Sequence, residues 1–535
     1  MSGYRTPLRR VLVANRGEIA VRVIRTCRRL GIETVLTVSD ADTGSLPARL
    51  ADRVIRIGPA PASASYLNVD AVVGAAIAAS VDAVHPGYGF LSENARLARA
   101  CAVAGVVFIG PSPQTLEAAG DKLAARDHAV AAGLAVLPGG HVTPAGGKVV
   151  AGAGNEAADP RAAVPAVPVT VPAAVSSAVA ATEVASRIGY PVLVKAAGGG
   201  GGRGLRVVRD PAELAHAVAV ASAEAAAAFG DPRVYLERYV EHGRHVEVQL
   251  LGDGEHVIHL GDRDCSVQRR YQKLIEEAPA PGLGDDLRER LRAAAVALGE
   301  RLRYRGAGTV EFLVDADRRE FYFLEVNARV QVEHPVTEAV TGIDIVAEQL
   351  AIAEGRPLRL KQDDVTFAGH AIEVRVNAED PEADFRPCPG TITRAVFPAS
   401  PANPITPANP ASAASPDRPY HEISGDAAAR SARHLPTGAG IVRVDTHLQA
   451  GAAVPPYYDS LLAKVIAHGR DRDGALAALR GALDRCAVDG ITTNLGLQRA
   501  LLADPGFAAG GVDTGYLARW LARDQKDHGT VPAHG

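Results

Sequence analysis

Near its start the chain carries the segment VLVANRGEIAVRVIRTCRRLGIETVLTV, residues 11–38. Its apolar runs Val11–Ala14 and Thr34–Val38 are typical of buried strands. Between them, apolar residues recur at helical spacing over Glu18–Leu30, which predicts an amphipathic helix. A strand, a helix and a strand in this order predict a βαβ unit with parallel strands.

The same pattern continues over roughly the first 120 residues. The pair Ala83–Val84 predicts another strand, which runs into a turn at His85–Phe90. A further apolar run, Val106–Ile109, stops at Gly110. We therefore expect an α/β domain here, a parallel sheet covered by helices.

Length and composition exclude several classes of protein. The chain has 535 residues, enough for three or four domains. Hydrophobic residues make up 47% and charged residues 22%, which is ordinary for globular proteins. The 57 basic and 61 acidic residues give a net charge of −4, so no strong positive field favours nucleic acid.

The cysteines and the hydropathy favour a reducing cytoplasm. Five cysteines are scattered without paired spacing, which predicts neither a disulfide framework nor a zinc site. The first apolar run is too short for a signal peptide. The uncharged stretch 162–182 contains Pro165, Pro168 and Pro172, which are incompatible with a continuous membrane-spanning helix.

A glycine-rich hairpin is predicted in the middle of the chain. The apolar run Tyr190–Val194 ends at Lys195, five glycines follow at Gly198–Gly202, and Leu205–Val208 is strand-like again. Known dinucleotide and P-loop motifs place a helix after their glycines, whereas a strand follows here. Such a flap can lay backbone amides over a polyphosphate, with Lys195 as the counter-charge.

Two segments of biased composition are predicted to be mobile surface insertions. Residues 140–180 are rich in Ala, Val, Gly and Pro, so they offer little to anchor them to a core. From Pro398 onward, proline recurs at every third position, which favours a solvated polyproline rod. A passive spacer is the simpler role for both.

Two glutamates are predicted to face each other on a β-hairpin. A turn centred on Arg318 would set Glu311 opposite Glu325. Carboxylates in this position repel each other unless a cation lies between them. Together with Asn327 they offer the hard oxygen ligands that suit Mg²⁺ beside a phosphate. A merely solvated strand face would explain the alternation but not the opposed acids.

The second strand is predicted to carry the same polar face further. Alternation places Arg329, Gln331 and Glu333 beyond the acids, where they offer an anion donor, an amide and a general base. Lys273 lies in a separate segment dense in donors, residues 264–277. A small anion is therefore expected beside the metal-held phosphate.

The motifs of this chain, taken together, resemble those of the biotin carboxylases of the ATP-grasp superfamily. The matching segments are VLVANRGEIA (residues 11–20), HPGYGFLSEN (85–94), the glycine flap, RDCSVQRRYQK (263–273), EVNARVQVEHPVTE (325–338), GHAIEVRVNAED (369–380) and PPYYDS (455–460). Only the two insertions and the chain ends fall outside the resemblance. So many motifs in order make it specific.

The resemblance implies an α/β fold of three domains. A Rossmann-like N-terminal (pre-ATP-grasp) domain would span 1–120 and an ATP-grasp domain 121–354, with a mobile lid at about 136–240 that includes the 140–180 insertion. A C-terminal α+β biotin carboxylase domain would span 355–525, with the Pro-rich insertion at about 398–436.

The resemblance also implies a role for each candidate site residue. ATP would be bound by Lys122, Lys195, Gly199, Gly200, Gly201, Gly202, Glu237, Val240 and His245, with Glu237 near the adenine and His245 near the ribose. Mg²⁺ would be held by Glu311, Glu325 and Asn327, as two ions that Mn²⁺ can replace. Bicarbonate would be bound by Lys273, Arg329, Gln331 and Val332. Glu333 would deprotonate bicarbonate, Arg375 would stabilise the biotin enolate and Tyr88 would lie near biotin.

The implied reaction forms carboxyphosphate from ATP and bicarbonate and then carboxylates biotin. Biotin would be attached to a separate carrier protein, because carriers of this family are modified at a lysine flanked by methionine and Met1 is the only methionine here. An acyl-CoA carboxyltransferase, of acetyl-CoA above all, is the further expected partner. A homodimer is also expected, although Arg22, Arg25, Arg28 and Arg29 lack a nearby acid in sequence.

Two other readings remain open at the level of sequence. Another ATP-grasp ligase that activates a carboxylate would share the flap and the metal acids, but Arg329, Gln331, Glu333 and Arg375 favour bicarbonate and biotin. A noncatalytic nucleotide-binding regulator would lack some catalytic group, and none is missing.

Overall fold

A computed structural model describes residues 7–142, 177–196, 205–229, 233–398 and 440–528. The flap glycines Gly199–Gly202, most of the 140–180 insertion and nearly all of the Pro-rich insertion lie outside these residues. Within them, helices and strands form the expected α/β organisation. No helix in the described ranges combines the length and apolarity needed to span a bilayer.

The N-terminal part is a five-stranded parallel sheet in the order β3-β2-β1-β4-β5. Its strands are β1 Arg10–Val13, β2 Glu33–Ser39, β3 Arg53–Gly58, β4 Ala83–His85 and β5 Val107–Phe108. The helices of this part are α1 Gly17–Arg29, α2 Leu46–Leu50, α3 Val69–Ala78, α4 Ala95–Val103, α5 Pro113–Gly120 and α6 Lys122–Ala131. The predicted βαβ unit is therefore confirmed as β1-α1-β2.

A small four-stranded sheet with its own apolar core follows in the range predicted for the lid. Its strands are β6 Gly139–Val142, β7 Val192–Ala196, β8 Arg206–Val208 and β9 Val234–Arg238, in the antiparallel order β6-β9-β7-β8. The helices α7 Ser177–Ile188 and α8 Leu214–Phe229 share residues with that core. The predicted hairpin, β7 and β8, is present on both sides of the flap.

The largest sheet has eight antiparallel strands in the order β14-β13-β10-β11-β12-β15-β22-β20. These strands are β10 Gly243–Asp253, β11 Val257–Arg269, β12 Gln272–Ala278, β13 Arg305–Asp315, β14 Glu320–Asn327, β15 His370–Asn377, β20 Ile441–Thr446 and β22 Leu461–Gly469. The sheet continues across the domain boundary predicted at residue 354, and the predicted boundaries stay predictions.

Helices and short ribbons cover this sheet. The helices are α9 Asp285–Arg301, α10 His334–Thr341, α11 Ile345–Ala353, α12 Arg472–Asp484, α13 Leu495–Ala503, α14 Pro505–Ala509 and α15 Tyr516–His528. The short strands are β16 Glu379–Asp380, β17 Arg386–Pro387, β18 Gly390–Thr391, β19 Arg394–Val396, β21 Ala453–Val454 and β23 Ala487–Asp489. They pair as β16-β17, β18-β21 and β19-β23.

Helix α1, which was predicted as an amphipathic helix, has two charged residues in buried positions. Both Glu18 and Arg22 are buried. Arg22 binds Glu338 at 2.8 Å and Asp344 at 2.7 Å, and Arg29 also pairs with Asp344. The acids that pair with Arg22 and Arg29 lie more than 300 residues away along the chain, so the absence of a nearby acid in the sequence did not mean that these arginines are unpaired.

Candidate functional site

The hairpin of β13 and β14 places the two predicted metal-binding glutamates opposite each other. Glu311 and Glu325 are cross-strand partners, as predicted. The register of the hairpin differs from the predicted one next to the turn. There Asp315 pairs with Glu320, and this register alone would set Glu311 opposite Leu324. A bulge at Leu324 shifts the register by one residue and restores the pairing.

The predicted strand beyond the acids ends earlier than expected. β14 ends at Asn327, so the expectation of a continuous strand through Glu333 was wrong. Beyond Asn327 the chain bends at Arg329 and turns at Val332 and Glu333 before α10. Ala328 and Val330 are buried in apolar cores, whereas Gln331 and Glu333 are buried among polar groups of the site.

Lys273 lies at the centre of three carboxylates. Its Nζ donates to Glu247 at 2.6 Å, Glu333 at 2.7 Å and Glu311 at 2.8 Å. A bulge at Leu274 in β12 explains why Lys273 faces these acids, since an extra residue re-aims the side chains around it. Carboxylates from two strands, β10 and β13, and from the segment before α10 thus converge on the ammonium group that β12 carries.

Lys273 and Glu333 hold each other in the ionised state. Burial lowers the pKa of Lys273, but the carboxylates of Glu247, Glu311 and Glu333 outweigh it and raise that pKa well above its ordinary value. Burial raises the pKa of Glu333, but Lys273 and Arg375 bring it well below the ordinary value. Glu333 is therefore a carboxylate at neutral pH.

The other two carboxylates of the cluster differ from each other. Burial raises the pKa of Glu311, yet Lys273 and His245 bring it far below the ordinary value. For Glu247, burial wins over Lys273 and Arg263 and raises the pKa. Glu311 is thus kept ionised where a metal ligand must be.

Arg329 and Gln331 form one connected network with Asn327. Arg329 Nη1 donates to Gln331 Oε1 at 2.7 Å, and its Nη2 donates to Asn327 Oδ1 at 2.9 Å. Gln331 Nε2 reaches Glu311 Oε1 at 3.3 Å. The network is anchored by Glu93 of the N-terminal part, which accepts hydrogen bonds from Ala328 N and Arg329 Nε, both at 2.9 Å.

Arg375 approaches the same cluster from β15. Its Nη2 donates to Glu333 Oε2 at 3.0 Å, and its Nε donates to Glu276 Oε1 at 2.5 Å. Burial raises the pKa of Glu276 to about 7 despite Arg375. Glu333 therefore has one predicted bicarbonate ligand, Lys273, on one oxygen and the predicted biotin ligand on the other.

Tyr88 is held in a turn after β4. Asn15 Nδ2 donates to the carbonyls of Pro86 and Tyr88, both at 2.7 Å. Gly87 has a φ of +63°, and a Cβ there would lie 2.8 Å from Asn15 Nδ2, so the turn requires glycine. The Tyr88 hydroxyl donates to Glu18.

The residues predicted to contact ATP lie in two places. Lys195 Nζ pairs with Glu237 at 2.7 Å on the small sheet, and Val240 is buried beside Tyr322. His245 instead lies in the carboxylate cluster, 2.9 Å from Glu311. Lys122 begins α6, and its side chain is outside the described part of the structure, as are the flap glycines.

The donor set around Glu311 fits a divalent cation. Asn327 Nδ2 lies 2.9 Å from Glu311 Oε1 and 3.5 Å from Glu325 Oε1. One atom can therefore contact an oxygen of each carboxylate at the same time. His245, Glu247 and Glu311 also bring possible ligand atoms within 4.8 Å of one another. Hard oxygen donors from two strands suit Mg²⁺.

Several residues of the site were missed by the sequence reasoning. They are Glu18, Glu93, Glu247, Glu276 and Lys464. Glu93 lies in the segment HPGYGFLSEN, so its position in a motif was a usable signal. Glu18 likewise lies in the segment VLVANRGEIA, whereas Glu247, Glu276 and Lys464 contact the site through pairings between distant strands, which the local pattern does not show.

Family descriptions cover most of the chain. Residues 7–116 match "Biotin carboxylase, N-terminal domain" and residues 429–519 match "Biotin carboxylase C-terminal domain". Residues 155–361 match "Carbamoyl-phosphate synthase L chain, ATP binding domain".

Full-length relatives agree with these matches. Biotin carboxylase of Pseudomonas aeruginosa is 45% identical over 97% of this chain and 100% of its own length. Biotin carboxylase of Campylobacter jejuni, solved as a β,γ-ATP complex, is 39% identical with a TM-score of 0.79 and covers 96% of this chain and 99% of its own.

A third relative was solved with several ligands. The biotin carboxylase domain dimer of 2-oxoglutarate carboxylase from Hydrogenobacter thermophilus, in complex with MgADP, ADP and bicarbonate, is 37% identical with a TM-score of 0.78. It covers 96% of this chain and 98% of its own. This chain therefore belongs to the biotin carboxylase family and is an ATP-dependent ligase that carboxylates biotin.

Proposed function

We propose that this chain carboxylates biotin on a separate carrier protein, with carboxyphosphate as the intermediate, as the first half-reaction of an acyl-CoA carboxylase. The observation that supports this most is the position of Glu333. It lies between Lys273 at 2.7 Å and Arg375 at 3.0 Å, beside the opposed pair Glu311 and Glu325. One carboxylate thus faces both predicted substrate positions.

Nucleotide binding is assigned to the small sheet and the carboxylate cluster. Lys195, Lys122 and the glycines Gly199–Gly202 would neutralise and cover the phosphates. Glu237, Val240 and His245 would contact the adenosine part. Mg²⁺ would be held by Glu311, Glu325 and Asn327, and when bound it neutralises phosphate charge during transfer.

Bicarbonate would be bound by Lys273, Arg329, Gln331 and Val332. In the first step, Glu333 takes the proton of bicarbonate, whose oxygen attacks the γ-phosphate of ATP to give carboxyphosphate and ADP. Glu333 is a weak base while Lys273 binds it. When Lys273 moves its contact to bicarbonate, the pKa of Glu333 rises towards that of a useful base.

In the second step, carboxyphosphate breaks down to CO₂ and phosphate inside the closed site. Phosphate takes the N1′ proton of biotin, and the resulting enolate attacks CO₂. Arg375 stabilises the enolate oxygen, and Tyr88 lies beside the biotin ring. Water must be excluded during this step, which gives the predicted lid its role.

The test is ADP formation by the purified chain with Mg²⁺ATP, bicarbonate and free biotin. The proposal expects ADP release to need bicarbonate, to rise with biotin, and to be accompanied by ¹⁴C from bicarbonate in carboxybiotin. In a ligase that activates another carboxylate, biotin would not change the rate of ADP release. That result would reject the proposal.

The carboxyl acceptor is proposed to be an acyl-CoA, acetyl-CoA first. The relative from Hydrogenobacter belongs to a 2-oxoglutarate carboxylase, so a 2-oxo acid is the competing acceptor. Copurification of the biotinylated carrier and its carboxyltransferase, followed by transfer assays with acetyl-CoA and with 2-oxoglutarate, separates the two. Transfer only to the 2-oxo acid would overturn this part.

We also propose that the chain forms a homodimer, since the Hydrogenobacter domain was solved as a dimer. Repulsion between the arginines of α1 is a weaker objection than the sequence suggested, because Arg22 and Arg29 are neutralised within their own chain. Light scattering coupled to size-exclusion chromatography measures the mass. A monomer at micromolar concentration would contradict the proposal.

A further inference from the structure

A fully buried lysine, Lys464, contacts the segment 331–333, which carries the proposed base Glu333. Its side chain is 0% exposed, which is rare for lysine unless the charge is paired. Its Nζ donates to the Val332 carbonyl at 2.9 Å and lies 3.0 Å from Glu18 Oε1 and 3.8 Å from Asp445 Oδ2. None of the roles assigned above includes this residue.

The sheet places Lys464 directly beside Arg375. The two residues are cross-strand partners on β22 and β15, and Asp445 is the partner of Lys464 on its other side. Adjacent cations repel unless acceptors lie against them. Here Arg375 binds the Glu333 carboxylate and Lys464 binds the Val332 carbonyl, so the pair holds two consecutive residues.

The peptide geometry explains what this contact controls. In a planar trans peptide the N–H and the C=O point in opposite directions. The Val332 carbonyl is turned to Lys464, and the Gln331 carbonyl accepts from His334 Nδ1 at 2.7 Å. The amides of Val332 and Glu333 are therefore turned away from these donors, and the backbone that carries the Glu333 side chain is fixed.

A second contact joins Lys464 to the turn that carries Tyr88. Glu18 Oε1 both pairs with Lys464 and accepts the hydrogen bond of the Tyr88 hydroxyl. One ammonium group thus connects the segment 331–333 with the turn predicted to lie beside biotin.

We propose that Lys464 is a positioning residue that sets the segment 331–333 and the Tyr88 turn at a fixed separation. In this role it holds Glu333 and the positions of bicarbonate and biotin at fixed distances from one another. The inference rests on the proposed function, because it assigns Lys464 to the bicarbonate and biotin positions and not to ATP.

The test compares Lys464→Met with the double variant Glu18→Gln/Lys464→Met. The single change leaves the Glu18 carboxylate buried beside an apolar side chain, which destabilises the fold. The double change removes both charges, so we expect thermal stability to recover. Methionine donates no hydrogen bond to the Val332 carbonyl, so both variants should raise the KM for bicarbonate about tenfold, with the KM for ATP within about twofold of wild type.

Arg305→Met is the matched control. Arg305 Nη2 donates to the Ile352 carbonyl at 2.7 Å, a cation-to-carbonyl contact away from the site. Its loss should leave the KM for bicarbonate unchanged.

Three results would overturn the inference: a wild-type KM for bicarbonate in both variants, recovery of that KM together with stability in the double variant, or failure of both to fold. The last two would make Lys464 purely structural. Absence of bicarbonate- and biotin-dependent ADP formation in the wild-type protein would instead reject the proposed function.

Discussion

Glu93 provides the sharpest test of how the bicarbonate network is anchored. Its two oxygens accept from Ala328 N and Arg329 Nε, both at 2.9 Å. Glu93→Ala removes both contacts and frees Arg329 to rotate away from Gln331. The side chain of Glu93 is 39% exposed, so the ion pair contributes at most about 1 kcal/mol, and the backbone hydrogen bond about 0.5–1.5 kcal/mol.

The expected loss is therefore about 1–2 kcal/mol, or roughly a 5- to 30-fold fall in kcat/KM for bicarbonate. Glu93→Gln keeps one acceptor oxygen, so its fall should be about 2- to 5-fold. The assay is steady-state ADP release with bicarbonate varied at saturating ATP and biotin. The KM for ATP should stay within about twofold of wild type, because in the described part of the structure the hydrogen bonds of Glu93 go to Ala328 and Arg329, which are not assigned to the nucleotide.

Glu33→Ala is the matched control. Glu33 is 34% exposed and pairs with Arg10 at 2.7 Å in the same N-terminal part. A kcat/KM for bicarbonate in Glu93→Ala that equals the value in this control would refute the reasoning, as would an equal rise in the KM for ATP.

Three further changes test separate parts of the site and the fold. Glu333→Gln should lower ADP release about 10²- to 10⁴-fold with folding intact, and a loss below tenfold would remove its role as base. Glu311→Gln should raise the Mg²⁺ concentration for half-maximal activity at least about tenfold, while an unchanged Mg²⁺ titration would remove it from the metal site. Burial and Asp344 raise the pKa of Glu348 to about 7. Glu348 therefore keeps its proton to a higher pH in the folded protein than in the unfolded chain. The free energy of unfolding falls as the pH rises from the ordinary pKa of a glutamate to about 7. Glu348→Gln should therefore raise the free energy of unfolding by about 1–3 kcal/mol at pH 8 and little at pH 5 in urea titrations, and an equal effect at both values would contradict this origin.

Local patterns in the sequence were enough to predict the elements that carry the site. The βαβ unit and the hairpin around the flap follow from apolar runs and turn residues. The pairing of Glu311 with Glu325 was predicted from the length of the turn, but the register is reached through the bulge at Leu324. A bulge leaves no clear signal in a single sequence. The prediction therefore gave the correct pairing without the bulge that produces it.

Other features depend on contacts between distant parts of the chain. The bulge at Leu274 decides that Lys273 faces the carboxylates, and alternation alone does not show it. Periodicity predicts that α1 is amphipathic but does not show that Glu18 and Arg22 are buried, where a lysine and acids from far along the chain neutralise them. Alternation also persists beyond Asn327 without a strand partner, so the pattern overestimated the length of β14.

A crystal structure with MgADP and bicarbonate tests the central claim most directly. The account predicts a magnesium ion bound by Glu311 and Glu325 against the nucleotide, with Lys273 moved from Glu333 to a bicarbonate that Arg329 also contacts. Glutamates turned away from the nucleotide, or an anion bound elsewhere while Lys273 still binds all three carboxylates, would contradict it.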